Sequence, residues 1–491
     1  MLRNGKDIAD GSVIDTQVCI VGSGPAGVTA AWLLQKAGVK VVLIEGGPDS
    51  PDGDLDPTWP AKSQLYAGKA DGQFSAMEPD FLIRPYNRAG GPWERERMFG
   101  GTSAHWGGQS RPLDPIDFET RPGFPGWPIC RADLDPFYAK AAQLCMLHGD
   151  DFSPQTWAAI LGAEVPELEG FDTTIYQYLG KDYLNFALRK FDGVTIGDSD
   201  ADVIVNATLL QIEHDQGCVR GLTVASMDDA PLRKATQFTI RAEAYVLACG
   251  AVENARQLLL SNVGNDHDQV GRYFMCHPLS NGQVIGVSGS YLTDAQTRLM
   301  GGQTLVGNRP ITWQDANGVR VSGRFSPTAD QQRALGIGSC WFWVNYGQYY
   351  FEMTPNADSR ITLADTVDPV FGQRQTHITW LLSDRDEATY TQTTQLFKAA
   401  VGALGGDVFY QSWASVKSGL TVNGHHIGTT RMSADPTQGV VDADLKVHGL
   451  DNLYVAGSSV FASTGISNPT FTIITLSIRL AEHLQGRVGA L

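Results

Sequence analysis

The run Gly22-Ser23-Gly24-Pro25-Ala26-Gly27 constrains this chain more than any other segment, because of what stands on either side of it. Before it, Gln17-Val18-Cys19-Ile20-Val21 is a short continuous apolar run, the pattern of a strand buried on both faces of a parallel sheet. After it, the pattern predicts a helix from Ala26 to Ala37 closed by Gly38 as a C-cap. A second buried strand, Val39 to Ile44, ends at Glu45. The three glycines differ in what they permit. Gly22 allows the tight turn, Gly24 lets the backbone approach a pyrophosphate, and Gly27 lets the helix pack on the strand. The free amides of the helix N-terminus then face the phosphates. Glu45 stands roughly twenty residues beyond the motif, where a ribose-binding carboxylate is expected. The unit predicts a dinucleotide site; Gly46-Gly47 after the acid leans towards FAD over NAD.

At 491 residues the chain exceeds the usual size of a single core, so two interlocked domains sharing a cleft are expected. A formal charge of −16 repels phosphate backbones and anionic lipid, which argues against nucleic-acid and membrane partners. No apolar run approaches the roughly 18 residues of a spanning helix, and residues 1–15 lack a signal-peptide core, so a cytoplasmic location is expected. The seven cysteines are scattered without a CxxC pair, which predicts neither a disulfide framework nor a metal site.

Further along, Val203–Glu213, Cys218–Ala225 and Thr236–Arg241 read as three alternating strands, followed by a buried strand, Tyr245 to Gly250, and a helix, Val252 to Leu260. A β-meander that feeds back into a nucleotide sheet predicts an FAD domain of the glutathione-reductase type and argues against a simple NAD dehydrogenase. Residues 47–92 are turn-rich and too long for an ordinary connection, which predicts a lid or excursion over the cofactor. The aromatic stretch 339–353 and the alternating run Thr376 to Leu382 predict a large antiparallel sheet roofing the flavin, its aromatics mostly core and a few available for stacking on sugar. The predicted fold class is therefore α/β plus antiparallel β. A discontinuous Rossmann-like FAD domain takes residues 1–60, 93–125, 200–280 and 440–491; a substrate domain and lid takes 61–92, 126–199 and 281–439.

Two C-terminal segments carry the candidate chemistry, Asn423 to Met432 and Ser467-Asn468-Pro469-Thr470. Read as residues alone, Asn468 is the N-cap and Pro469 the first residue of a closing helix that runs to Leu484. That junction follows the strand Leu453 to Gly457, so it also brings amides and an Asn side chain to one point at the flavin. His425 and His426 face opposite ways if extended, a poor metal pair in which one ring faces the cofactor and the other the packing.

With these blocks in place the chain resembles the glucose–methanol–choline (GMC) flavoprotein oxidoreductases over nearly its whole length. The resemblance runs in order through Gly22 to Gly27, Gly100 to Gly108, Gly126 to Ile129, Gly250 to Arg256, Gly271 to Pro278 and His425 to Thr470. It implies FAD and oxidation of an alcohol. His425, six residues before Arg431, is the implied base, and Asn468 the residue that orients the substrate hydroxyl. It further implies flavin contacts from Gly101, Thr102, Ser103, His105, Trp106, Gly107 and Gly108. Leu209, Cys249, Gly250, Gly457, Ser458, Pro469 and Thr470 complete the implied cofactor site. In some relatives the His of this His-Trp pair is bonded covalently to the flavin, a role His105 could share. The His-Trp loop resembles the branch acting on pyranoses, glycosides and polyols, with molecular oxygen or another acceptor taking the electrons. Aliphatic, aromatic or cyclitol alcohols, and a non-redox lyase retaining FAD, are the alternatives.

Overall fold

The computed structural model describes residues 1–49, 68–72, 97–104, 106–180, 185–229, 231–280, 284–300, 305–306, 309–310, 314–343, 348–421 and 424–489. Most of the predicted lid, 50–67 and 73–96, lies outside these residues, as do His105 and Tyr346.

The first sheet has eight strands. Its centre is Val13–Val21, flanked by Val41–Ile44 on one side and Leu232–Leu247 on the other, all parallel. Beyond Val41–Ile44 lie Asp202–Val205 and then Leu2–Asn4, so the N-terminal residues form an edge strand of this sheet. The helix Pro25–Lys36 leaves the central strand through the glycine turn, with Pro25 at its first position. Val18, Cys19, Ile20, Leu43 and Ile44 are fully or almost fully buried, as expected of strands covered on both faces.

Two predicted strand boundaries are redrawn. The run Val203–Glu213 is two strands, Asp202–Val205 in the parallel sheet and Thr208–Asp215 in the meander. Asn206 sits between them with φ 52°, and its amide group both accepts from the Met227 N–H and donates to the Met227 carbonyl. Conversely, Thr236–Arg241 and Tyr245–Leu247 belong to one strand, Leu232–Leu247, and Gly250 opens the helix that follows. Its first half pairs antiparallel with Cys218–Asp229, and Tyr245 to Leu247 pair parallel with the last strand, Leu453–Val455. One edge of a single strand therefore serves the meander and the nucleotide sheet in turn. An apolar pattern reports burial but not partner, which is why neither boundary was visible in it.

The second sheet has seven strands, all antiparallel: Leu420–Thr421, Leu279–Ser280, Gln348–Phe351, Cys340–Trp343, Arg320–Pro327, Phe171–Tyr178 and Gln109–Ser110. Its aromatics divide by the period of two. Phe342 and Tyr349 face the helix Asp384–Ala403, where Phe342 stacks on Phe397 at 4.2 Å and Tyr349 hydrogen-bonds Thr393 at 2.7 Å. Trp341 and Tyr350 stack at 4.1 Å on the opposite face, in a cluster with Tyr176, Tyr178 and Ile466. That second face covers the loop leading to Asn468. The predicted strand at Thr376–Leu382 is Arg374–Trp380, which belongs to a separate three-stranded sheet with Arg360–Val367 and Gly68–Gly72. The closing helix, Pro469–Gln485, packs beside Pro25–Lys36 and Arg131–Leu144, with the Tyr138 hydroxyl 2.9 Å from Thr472. Among the described residues no helix is long and apolar enough to cross a membrane.

Candidate active site

The carboxyl ends of three parallel strands make an open cradle. A Cβ built on Gly22 (φ 105°) would lie 2.5 Å from the Ala248 carbonyl, and one on Gly27 would lie 1.9 Å from the Gly22 carbonyl. These two glycines are required by the protein's own packing. Gly24 is different: nothing lies within 4 Å of its built Cβ, nor of that on Gly250. Gly457, just beyond the last strand, meets only the Asn254 amide at 3.9 Å. The helix above Gly24 has no side-chain cap and no acid in its first turn, so its N-terminal amides and dipole face the opening uncompensated. This donor set fits the pyrophosphate of a dinucleotide.

Glu45 braces the rim. It accepts from the amide (3.1 Å) and hydroxyl (2.7 Å) of Ser23 and from the Gly47 amide (2.9 Å). The Ser23 hydroxyl in turn accepts from Gly100 N–H at 2.9 Å, which ties the second predicted cofactor loop to the first. In that loop Gly101–Ala104 form a 3-10 turn, the Thr102 carbonyl accepts from Trp106 at 3.2 Å, and Trp106 lies against Phe186. Ser103 is a pin, donating to the Gly100 carbonyl and accepting from Phe186 N–H. Past Gly107, Gly108 leads into the antiparallel sheet, its carbonyl accepting from Leu179 at 3.0 Å. Cys249 is held by Asn254, and burial pushes its thiol far up. Leu209 is buried in the meander, its carbonyl accepting from Gln373. Arg97, absent from the predicted set, lies against Gly46 and bonds Thr208, and burial lowers its pKa.

His425 arrives on the segment 425–432, which runs beside 458–460 through Gly428, Thr430 and Met432 amides. The Ser458 hydroxyl also donates to the His426 carbonyl at 2.6 Å. On its other side this segment pairs antiparallel with Met275 through the bridge Met275–Ile427. Gly428 (φ 90°) is required there, since a Cβ would lie 2.3 Å from the Tyr273 carbonyl. Two residues from that bridge, in opposite directions along the two segments, stand His277 and His425, on the same face by the period of two. Their Nδ1 atoms are 3.0 Å apart. His425 Nε2 lies 3.2 Å from Nδ2 of Asn468. His426 points elsewhere, its ring 5.5 Å from that of Phe274, as predicted for neighbours in an extended chain.

Asn468 is the N-cap residue by position, with Pro469 and Thr470 opening the helix, yet its side chain makes no capping bond. The side chain goes to His425 instead. His277 is 1 % exposed, and its Nε2 lies 2.8 Å from the Gly465 carbonyl. Burial pushes the His277 pKa down to about 4. His425 is pushed well below the usual histidine range, by burial first and then by His277 and His426. Both rings are therefore neutral at neutral pH. The Gly465 loop is held from behind by Glu352, which accepts the Gly465 amide at 3.1 Å and the Ser339 amide at 2.9 Å. Glu352 is itself in a buried ion pair with Arg121 at 2.6 Å.

A histidine ring that burial disfavours protonating and an asparagine amide thus meet at one point. The C-terminal model of the family described as GMC oxidoreductase matches residues 355–477, the stretch that carries His425 and Asn468. The model of an FAD-binding domain matches residues 15–50. The chain carries a GMC oxidoreductase C-terminal domain.

Its cofactor is FAD, which Gly24 and the helix amides, Gly250 and Gly457 have room to hold. The chain is 24% identical to 6'''-hydroxyparomomycin C oxidase of Streptomyces lividus over 96% of this chain and 92% of that one. It is also 24% identical to C-glycoside 3-oxidase of Microbacterium trichothecenolyticum, over 96% and 97%. Among solved structures it overlays on formate oxidase with a TM-score of 0.60 at 16% identity, covering 98% of this chain and 100% of that one; this likeness concerns the fold. His277 lies inside a family block, Gly271 to Pro278, in which the sequence gives it no role. Its place beside His425 is set by the bridge Met275–Ile427 two residues away.

Proposed function

We propose that this protein oxidises a secondary hydroxyl of a sugar, glycoside or polyol to a ketone, with His425 as the base and Asn468 as the orienting group. The observation that supports this most is the approach of His425 Nε2 and Asn468 Nδ2 to 3.2 Å, with His425 held neutral by burial. A substrate hydroxyl that replaces this direct contact accepts from the Asn468 amide and donates to His425 Nε2. When bound, FAD supplies the acceptor for the hydride of the carbinol carbon. The hydroxyl proton passes to Nε2, so the alcohol loses one hydride and one proton and leaves as the carbonyl compound. Asn468 holds the oxygen throughout, which sets which carbon of the substrate is presented. In the stacked pair Trp341–Tyr350 the tryptophan is buried and has Arg324 over its ring, which leaves the half-buried Tyr350 as the ring that can meet a sugar.

The sugar reading rests on the relatives, whose names describe oxidation of 6'''-hydroxyparomomycin C and of a C-glycoside. The test is anaerobic bleaching of the flavin against glucose, a C-glycoside, an aminoglycoside, fructose, a cyclitol and simple alcohols, with identification of the product. A ring ketone from a sugar or glycoside is expected. Bleaching by simple alcohols alone, or by nothing in the panel, would overturn it. Readmitting oxygen then separates oxidase from dehydrogenase behaviour. In the same reading His425→Ala stays yellow and its flavin reduction slows by about 10²–10⁴. Reduction at the wild-type rate would remove His425 as the base. Acid precipitation reads the bond proposed at His105: a yellow pellet for a covalent flavin, a colourless one for none.

A further inference from the structure

We infer that His277 is a positioning residue that fixes the tautomer of His425, so that the lone pair of the base sits on Nε2, facing Asn468 and the substrate. The inference rests on the alcohol-oxidation reading above and adds the group that sets the base's protonation state.

The hydrogen-bond chain starts at an atom that can only accept. The carbonyl oxygen of Gly465 lies 2.8 Å from His277 Nε2, so Nε2 must carry the hydrogen. His277 is neutral, with burial lowering its pKa to about 4, so its Nδ1 is then a bare acceptor. That nitrogen lies 3.0 Å from His425 Nδ1, which must therefore carry the hydrogen of the second ring. His425 is neutral too, so its Nε2 is left as a lone pair. Asn468 Nδ2, at 3.2 Å, donates to it. Four groups thus form one directed chain of hydrogen bonds, each ending on the acceptor that the next step requires. Reversing any link would leave two N–H groups facing each other or two lone pairs in contact in a buried site.

The anchor is rigid because Gly465 cannot move freely. Its amide is held by Glu352, and a Cβ on it would lie 2.6 Å from Oδ2 of Asp117. The charged or titratable groups facing the pair are His426, Glu352 with its partner Arg121, and Asp117, whose carboxyl burial pushes well up. After the substrate proton reaches Nε2, the imidazolium still donates through Nδ1 to His277, so the charge is met by an acceptor already in place.

The test reads the protons directly. Holoenzyme labelled with [15N]histidine is observed in long-range 1H–15N correlation spectra, with His425 assigned among the ten histidines by loss of its signals in His425→Asn. The expected pattern in the wild type is Nδ1–H with bare Nε2 for His425, and the reverse for His277. His277→Leu removes the acceptor: His425 then shifts towards Nε2–H and flavin reduction slows by about 10- to 100-fold with little change in substrate affinity. His277→Asn places an amide oxygen near the Nδ1 position, so it keeps the His425 tautomer and recovers most of the rate. A wild-type His425 protonated on Nε2 overturns the inference without any variant. So does a His277→Leu enzyme with unchanged spectrum and rate, or Asn and Leu variants that lose rate equally while keeping the tautomer. Failure of the function reading looks different, since His425→Ala would then reduce its flavin normally whatever the protonation pattern.

Discussion

Acid should destabilise this protein specifically through His277. Its imidazole is 1 % exposed and its pKa is lowered to about 4 from the ordinary 6.5. A lowered histidine pKa means that the fold prefers the neutral ring, whereas the unfolded chain takes up the proton near pH 6.5. Between pH 6.5 and 4 the unfolded state therefore binds more protons, and stability falls as pH falls. The difference of roughly 2.5 units at about 1.36 kcal/mol each gives about 3 kcal/mol, complete near pH 4 and absent above pH 7. In a chain of 491 residues the unfolding entropy is about 1 kcal/mol per kelvin, so the effect is about 3 °C in Tm. The assay is the temperature of flavin release, followed by fluorescence at a fixed scan rate from pH 7.5 to 4, in the wild type and in His277→Asn. Carboxylates titrate alike in both proteins and cancel in the difference. The variant should start lower at pH 7.5 and lose less, closing the gap by about 3 °C at pH 4. Parallel curves would refute the reasoning, because they would mean that no buried neutral His277 opposes acid.

Three further outcomes follow from the geometry. Asn468→Ala should slow flavin reduction strongly while leaving Tm nearly unchanged, because its side chain makes no capping bond; the loss of about 1 kcal/mol typical of a true N-cap would contradict this. Gly27→Ala drives a Cβ to 1.9 Å from the Gly22 carbonyl and should yield protein without flavin absorbance, whereas Gly24→Ala, with open space, should fold and bind FAD less tightly, as read by flavin retention in dialysis. Glu352→Gln strands Arg121 in the interior and should cost about 3–5 kcal/mol, seen as a Tm lower by a few degrees, with Arg121→Met plus Glu352→Gln partly restoring it.

The nucleotide cradle was legible in the sequence because its physics is local. Gly22, Gly24 and Gly27 lie within one turn between two apolar runs, and spacing alone dictates a strand, a tight turn and a helix end. The closing helix was legible for the same reason, from Asn468-Pro469 at its start. The aromatic density of 339–353 announced an antiparallel sheet, and even the opposite facing of His425 and His426 followed from the period of a strand. Partnership was not legible. Nothing local says that Leu232–Leu247 is one strand shared between two neighbours, or that a break at Asn206 sends the chain from one to the other. Nor does a short segment say that Asn468 forgoes its capping bond, since that depends on a ring 43 positions away in sequence.

The sequence by itself determined that this chain carries a dinucleotide-binding unit, and it singled out a histidine and an asparagine as the candidate catalytic pair. Only the tertiary structure decided what surrounds that histidine. His277 reaches His425 across 148 positions through one antiparallel bridge, and Glu352 holds the Gly465 loop across 113. Hydrogen-bond direction is a property of the assembled chain of donors and acceptors, and no residue in it has that direction until all of them are in contact.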